Sequence, residues 1–418
     1  MKIAAIIAEY NPFHNGHLYQ LQTLRKQYHI DYIIVVMSGD FMQRGIPAII
    51  DKYDRCRMAL ENGADLVFEL PVYFSLGSAE YFAAGAVSLI DKLGVVESLH
   101  FGSECGEIDV LTTCASALAA ETAAYKETLN KALKEGNSFP SARAAAANIY
   151  NCPENTLSSP NNILGIEYIK ALLQRNSSIT PTTIRRTDDG YHSVVLDGDT
   201  FASANAIREL LRILPENLFK LQEFVPDSVY QYLSNKMNSS RQHNLKSSFL
   251  FIDHFSQLLR YKLLSEVHIS PNRLSCYYDV TRQLANTFYN NLNSFTTISD
   301  FVLACKSKNL TYTRISRCLM HILLEMKQDM IDTLKESDYC PYARLLGFNE
   351  QGKNVLKQIK ANASIPIITK LPRALKTLDG IALQSLKADI YASTVYQSVK
   401  SPHIPFLNEL KREIIKVS

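Results

Sequence analysis

Through its first 210 residues the chain alternates short runs of β-branched and aliphatic residues with amphipathic stretches of helical period. KIAAIIA, DYIIVVM, ADLVFEL and SLHFG are the strand-like runs, and helices are predicted between them from about His17, Tyr53 and Ser78. A helix near Asn162 to Leu173, a strand near Ile179 to Ile184 and a helix from Ser203 to Leu211 complete the series. Parallel neighbours need a long crossover, and helices between strands supply one. The pattern therefore predicts an α/β fold on a Rossmann-like, doubly wound parallel sheet. Such sheets bind ligands beyond the C-terminal ends of their strands, so chemistry is expected in the loops after Ala8, Met37, Leu70 and Phe101.

At 418 residues the chain exceeds one ordinary domain. Its glycines are uneven: 13 of 16 fall within residues 1–200. The second half reads as helices, at about 247–266, 279–292, 312–335, 350–360 and 381–399. Two units are expected: an α/β domain over residues 1–230, and a basic helical domain over 231–418. The polar stretch NKMNSSRQHN is the expected hinge. Charge divides at the same place. Residues 1–230 carry 19 Lys and Arg against 27 Asp and Glu, net −8, whereas residues 231–418 carry 25 against 14, net +11. A basic half points to a polyanion, with a lysine-rich solvated surface as the plainer alternative. No apolar run reaches the roughly 18 residues of a membrane span. The opening apolar stretch is short, follows the single Lys2 and is read as a strand rather than a leader. Eight scattered cysteines without a CxxC pair predict a reducing, cytoplasmic setting and no structural zinc.

Directly after the first strand comes Asn11-Pro12-Phe13-His14-Asn15-Gly16-His17, followed by the helical LYQLQTLRKQY. A helix N-terminus offers unpaired N–H groups and partial positive charge, which suit a phosphate. Gly16 would let the backbone approach that phosphate closely. His14 and His17, three residues apart, would share one face of the opening turn and aim imidazole N–H donors at charge growing on an α-phosphate. A metal pair is the competing reading, but no third ligand stands at matching spacing, so no metal site is expected.

HNGH resembles the HxGH signature of the nucleotidyltransferase superfamily that includes class I aminoacyl-tRNA synthetases and the pantetheine-phosphate and nicotinate-nucleotide adenylyltransferases. The longer string IAEYNPFHNGHLYQ, with SGDFMQRG, FELP, FGSE, SPNNILGIEYIKAL and SANAIR in order, is similar to the bacterial tRNA(Met) cytidine acetate ligase family. That resemblance implies ATP as substrate with Mg2+ beside it, and acetate activated as an acetyl-adenylate with release of pyrophosphate. It further implies transfer of the acetyl group to the exocyclic amine of the wobble cytidine of elongator tRNA(Met), with neither DNA nor a membrane as partner. A coenzyme-biosynthesis adenylyltransferase would share the signature, but such enzymes are usually half this length.

The implied nucleotide cradle is Ile7, Ala8, Glu9, Tyr10, Asn11, Pro12, Phe13, His14, Asn15, Gly16, His17, Leu18, Tyr19 and Gln20, with His14 and His17 stabilising the transition state. Gly102, Asn162, Arg185 and Arg186 are implied further nucleotide contacts. Ser203 to Arg208 resembles the phosphate-binding helix start of related transferases, with Ser203 as N-cap and Arg208 on the inner face. Asn205 stands where threonine is usual, which removes that hydroxyl. Asp40, after the second strand, either orients the nucleophile or a phosphate-bound Mg2+, or stabilises a turn.

In the basic half, Arg314, Arg317 and His321 recur at i, i+3, i+7, and Lys353, Lys357 and Lys360 at i, i+4, i+7. Such stripes fit a phosphate backbone. YARLLGF and the KLPRALK segment, with Lys370 and Arg373, add cations beside aromatic or apolar residues and are expected to meet single-stranded anticodon bases.

Overall fold

A computed structural model describes the chain except residues 121, 136–138, 151, 187–202, 214, 243–248 and 401–404. Its strands are β1 (Ile3–Ala8), β2 (Tyr32–Ser38), β3 (Phe41–Met42), β4 (Ile46–Pro47), β5 (Leu66–Leu70), β6 (Ser98–Ser103), β7 (Thr180–Arg185), β8 (Ala343–Asn349), β9 (Ile367–Ile368) and β10 (Ile415–Val417). The main sheet has the order β10-β8-β5-β2-β1-β6-β7, with β9 on β8. β5, β2, β1, β6 and β7 are mutually parallel, as the alternation predicts. Every residue of β5 and nearly every residue of β2 is buried, because helices cover both faces of the sheet.

The order of the parallel strands reverses at β1, whose neighbours are β2 and β6. β1 and β2 pair along their full length from Ile3 to Ala8. β1 and β6 pair only at Ala4 with Ser98 and Ala5 with Leu99. Beyond those residues the two strands part, and a crevice opens at their C-terminal ends, where ligands of such sheets bind. Buried Arg55 fixes that end of the sheet: its guanidinium donates to the carbonyls of Glu9 (2.6 Å) and Ser38 (3.0 Å), and also to that of Gly39. Carbonyls that have run past the ladder are thereby satisfied inside the protein.

The second half departs from the all-helical expectation. ARLLGFN is β8, buried and antiparallel to β5, so residues 231–418 contribute strands to the sheet of the first half. Its arginine and glycine disguise it in the sequence, yet Arg344 is buried in an ionic cluster rather than offered to RNA. In that cluster Lys52 Nζ meets Glu69 at 2.7 Å and Glu409 at 2.8 Å, and Arg344 meets Glu69 at 2.7 Å and Glu409 at 2.5 Å. The stretch read as one helix over 312–335 is two, Tyr312–Leu323 and Gln328–Glu336, broken where Glu325 takes φ 58°. The expected hinge is mostly helix, within Asp227–Gln242, and its last two residues lie outside the described residues.

The Gly352–Asn362 helix lies across the N-terminal end of the parallel strands, opposite the crevice. Gly352 sits against the carbonyl of Asp65, which precedes β5. Gln358 reaches Met1, which precedes β1, and Asn362 abuts Gly94, which precedes β6. At about 3.3 Å per strand residue, roughly 20 Å of sheet separates this helix from the crevice.

Candidate active site

The crevice holds a cavity of about 370 Å³ lined by the ends of β1 and β6, the start of the Asn15–Lys26 helix, and residues from five other segments. His14 is the N-cap of that helix, extended at φ −144°, and His17 is its third residue. The N–H of Gly16 donates to His14 Nδ1 (3.1 Å), and the N–H of His14 donates to His17 Nδ1 (3.2 Å). This reciprocal cap satisfies two helix-start N–H groups with imidazole nitrogens. It also fixes the tautomer: a nitrogen that accepts from a backbone N–H carries no proton, so each neutral ring bears its proton on Nε2.

The two rings stack with centroids 3.6 Å apart, and both line the cavity. Tyr10 closes on His17 edge-to-face at 4.8 Å. Burial, followed by the neighbouring His14 ring and the Arg186 charge, holds His17 well below its ordinary range, so at neutral pH it donates as imidazole and not as imidazolium. Cations are supplied by arginines instead. Arg208 donates to the carbonyl of Asn11 (2.8 Å), and Arg44, Arg186 and Arg208 all line the cavity. Burial brings Arg44 down to about 10, which still leaves it charged. Glu9 is the carboxylate among the described lining residues, and its Oε1 accepts from the N–H of Gln43 (2.7 Å). Tyr10 Oη and Asn11 Nδ2 are buried with no partner among the described residues, a cost that a bound polar ligand would remove. Gly102 leaves room beside Arg186: a Cβ there would stand 3.1 Å from Arg186 Cγ.

A family model described as HIGH Nucleotidyl Transferase matches residues 1–408. The tRNA(Met) cytidine acetate ligase of Clostridium perfringens is 39% identical over 406 residues, covering 95% of either chain. That of Clostridium tetani is 38% identical and covers 100% of both. The crystal structure of Thermotoga maritima TmcAL bound with alpha-thio ATP matches with a TM-score of 0.88 at 30% identity over 100% of both chains. This chain belongs to the tRNA(Met) cytidine acetate ligase family.

Within that family's signature, Ile7, Ala8, Glu9, Tyr10, Asn11, His14, His17 and Gln20 line the cavity, as do Gly102, Arg186, Ser203 and Arg208. Ser203 caps its helix as expected, its hydroxyl accepting from the N–H of Ala206 (3.2 Å). Asn205 faces the same cavity and accepts from Arg208 (3.2 Å). Pro12, Phe13, Asn15, Gly16, Leu18 and Tyr19 do not line it. Phe13 belongs to the core, Asn15 donates to the carbonyl of Glu223, Gly16 spends its N–H on the cap, and Tyr19 is exposed.

Three further residues of the expected site lie off the cavity wall. Arg185 is exposed and outside the cavity, where Gly106 lies against its side chain. Asn162 holds a loop: its Oδ1 accepts from the N–H groups of Glu104 (2.9 Å) and Cys105 (3.1 Å), and its neighbour Asn161 lines the cavity instead. Asp40 is buried away from the cavity, accepting from the Lys52 N–H (2.9 Å) and the Ser393 hydroxyl (2.8 Å), with its carboxyl pushed up by burial. Gln43 and Arg44, from the same SGDFMQRG string, reach the cavity and were missed, although the string that contains them was recognised.

The Arg314, Arg317 and His321 stripe is not a free basic face. Arg314 pairs with Asp279 (2.8 Å), and His321 is buried between the carbonyls of Tyr278 (2.8 Å) and Leu76 (2.9 Å). Its helix nevertheless packs beside the cavity, because Ser316 donates to the carbonyl of Gly45 (2.7 Å), one residue from Arg44. Lys353, Lys357, Lys360, Lys370 and Arg373 are exposed, with Lys353 paired to Glu350.

Buried His100, beside the cavity residue Gln20, makes acid stability testable. Burial lowers His100 to about 4, while the unfolded chain titrates near 6.5. The unfolded state therefore binds more protons between these values, and the His100 contribution, full above about 6.5, is lost as pH falls toward 4. It should decline by about 1.4 kcal/mol per pH unit across that window. Urea unfolding of His100→Gln, compared with the parent at pH 7 and pH 5, should show a shallower loss; parallel losses would refute the assignment.

Proposed function

We propose that this protein condenses acetate with ATP to acetyl-adenylate and transfers the acetyl group to the exocyclic amine of the wobble cytidine in elongator tRNA(Met), within the cytoplasm. The carrying observation is the pair of stacked histidines, each with its proton on Nε2, at a helix start that opens into the sheet's switch-point crevice. Full-length likeness to the tRNA(Met) cytidine acetate ligases supports the choice of substrates.

In the first step the acetate oxygen attacks the α-phosphorus, an O–P bond forms and the bond to pyrophosphate breaks. Negative charge grows on the phosphate oxygens, where His14 and His17 donate hydrogen bonds and Arg44, Arg186 and Arg208 supply charge from preorganised positions. In the second step the cytidine amine attacks the acetyl carbonyl and AMP leaves. Carboxylate and amine do not condense directly at neutral pH, so the adenylate serves as the leaving group. Mg2+, as the resemblance implies, would be held by the triphosphate and would neutralise part of its charge. Among the described residues no group of three or more His, Cys, Asp or Glu is placed to hold a metal, and an ion that keeps its waters and takes phosphate oxygens needs none.

For the tRNA, position on the sheet separates the candidates. The backbone of Arg317 packs against the β3–β4 turn beside the cavity, whereas Lys353, Lys357 and Lys360 lie at the opposite end of the strands. Arg317→Ala is expected to weaken tRNA binding about ten-fold with a shallower salt dependence. The triple alanine variant of Lys353, Lys357 and Lys360 should change it by about two-fold or less. Fluorescence anisotropy with labelled tRNA at two salt concentrations decides this, and a larger effect of the triple variant would reverse the assignment. The whole reading is tested by incubating the protein with ATP, labelled acetate and mixed tRNA. Label in one cytidine of one methionine tRNA is the expected outcome, and pyrophosphate release without labelled tRNA would contradict it.

A further inference from the structure

The geometry points to Glu9 as the general base that removes the proton from the attacking cytidine amine, an inference that rests on the acetyl-transfer reading above. As the amine nitrogen forms its bond to the acetyl carbon it becomes cationic and strongly acidic. Unless a proton is removed, the adduct reverts by expelling the amine rather than AMP. The balanced step forms the C–N bond, breaks the bond between the acetyl carbon and the AMP oxygen, and moves one amine proton to a carboxylate and then to water.

The cavity wall leaves few groups able to accept that proton. His14 and His17 are excluded by their own cap, since each Nδ1 already accepts a backbone N–H and each Nε2 bears a proton. The arginines are charged. Burial pushes the phenols of Tyr10 and Tyr168 upward, so neither is an anion at neutral pH. Glu9 remains as the carboxylate of the described lining residues.

Its placement suits the role. Glu9 follows β1 directly, at the point where β1 and β6 part, and its backbone carbonyl is held by buried Arg55 at 2.6 Å. Oε1 is fixed by the Gln43 N–H at 2.7 Å, and no hydrogen bond from a described residue reaches Oε2. One oxygen thus orients the group while the other stays available for a proton, and a carboxylate is competent against so acidic an adduct.

The test compares Glu9→Gln with the parent in both half-reactions, using the full chain. Acetate-dependent pyrophosphate exchange without tRNA reads the first step, and single-turnover transfer of labelled acetyl from preformed acetyl-adenylate to tRNA reads the second. Transfer should fall about 100-fold, at least about ten-fold more than exchange, which Glu9 also touches as part of the nucleotide cradle, and the acid limb of the parent's transfer profile should disappear. Transfer with an unchanged rate and pH profile overturns the proposal. So does a parallel loss of exchange, or recovery of both steps by added Mg2+, which would make Glu9 a nucleotide or ion contact. Should Glu9→Gln fail to unfold cooperatively, Glu9→Asp replaces it: slowed transfer with the acid limb retained supports the base, and unslowed transfer refutes it. Absence of exchange in the parent would instead remove the underlying reading.

Discussion

Replacing His17 by alanine is expected to lower acetate-dependent pyrophosphate exchange by about 100- to 1,000-fold, the usual cost of losing one preorganised donor to a developing oxyanion. The donor is the Nε2–H, which the His14 N–H enforces by occupying Nδ1 at 3.2 Å. The same substitution removes one bond of the helix cap, costing about 1 kcal/mol of stability, so the folded enzyme should remain abundant while its rate collapses. Because burial holds His17 well below its ordinary range, the ring is already neutral at pH 7. Titration of His17 should therefore add no step to the parent's exchange as pH falls through about 6.5. Exchange rates at saturating ATP and acetate, with a thermal melt to confirm folding, settle the matter. A His17→Ala enzyme within about ten-fold of the parent would exclude the ring from transition-state stabilisation.

The second large effect belongs to stability. Arg344→Met is expected to cost about 3–5 kcal/mol, because it leaves buried carboxylates without their partner. Arg344 pairs with Glu69 and Glu409 and also donates to the Tyr53 hydroxyl at 2.8 Å; every member of that group is nearly inaccessible. The two cations, Lys52 and Arg344, balance Glu69 and Glu409, and their attraction carries the Glu409 carboxyl down to about 2. Removing Arg344 leaves Glu69 and Glu409, with Asp40 also 3.9 Å away, competing for Lys52. Removing Arg344 and Glu409 together, as Arg344→Met with Glu409→Leu, should recover most of the loss, since an apolar replacement of a whole buried pair is close to neutral. Denaturant titrations of the single and double variants give both numbers. A single variant that costs less than about 1 kcal/mol would mean that water reaches the cluster after all.

That cluster also shows where sequence reading stops. Glu69 lies on β5, Arg344 on β8, and Glu409 close to the C-terminus, so their meeting is a product of long-range pairing. In the sequence Arg344 sits between aromatic and apolar residues like an RNA contact, and only its burial shows otherwise. Lys353, Lys357 and Lys360 do form an exposed stripe, but the pattern carries no information about which end of the sheet the helix crosses.

Local spacing by itself determined the strand–helix alternation, the parallel sheet it requires, and the histidine-capped helix start after β1, because those features depend on contacts within a few residues. Tertiary structure alone decided between neighbours of equal chemistry. Arg186 entered the cavity and Arg185 did not, since successive residues along an extended segment face opposite sides. Asn161 faces the cavity while Asn162 holds the loop, and Asp40 went into the core while Gln43 and Arg44 came to the wall. The physical reason is that burial and partner choice are set by which distant elements pack together, and a polar residue in a sequence shows its chemistry but not its neighbours.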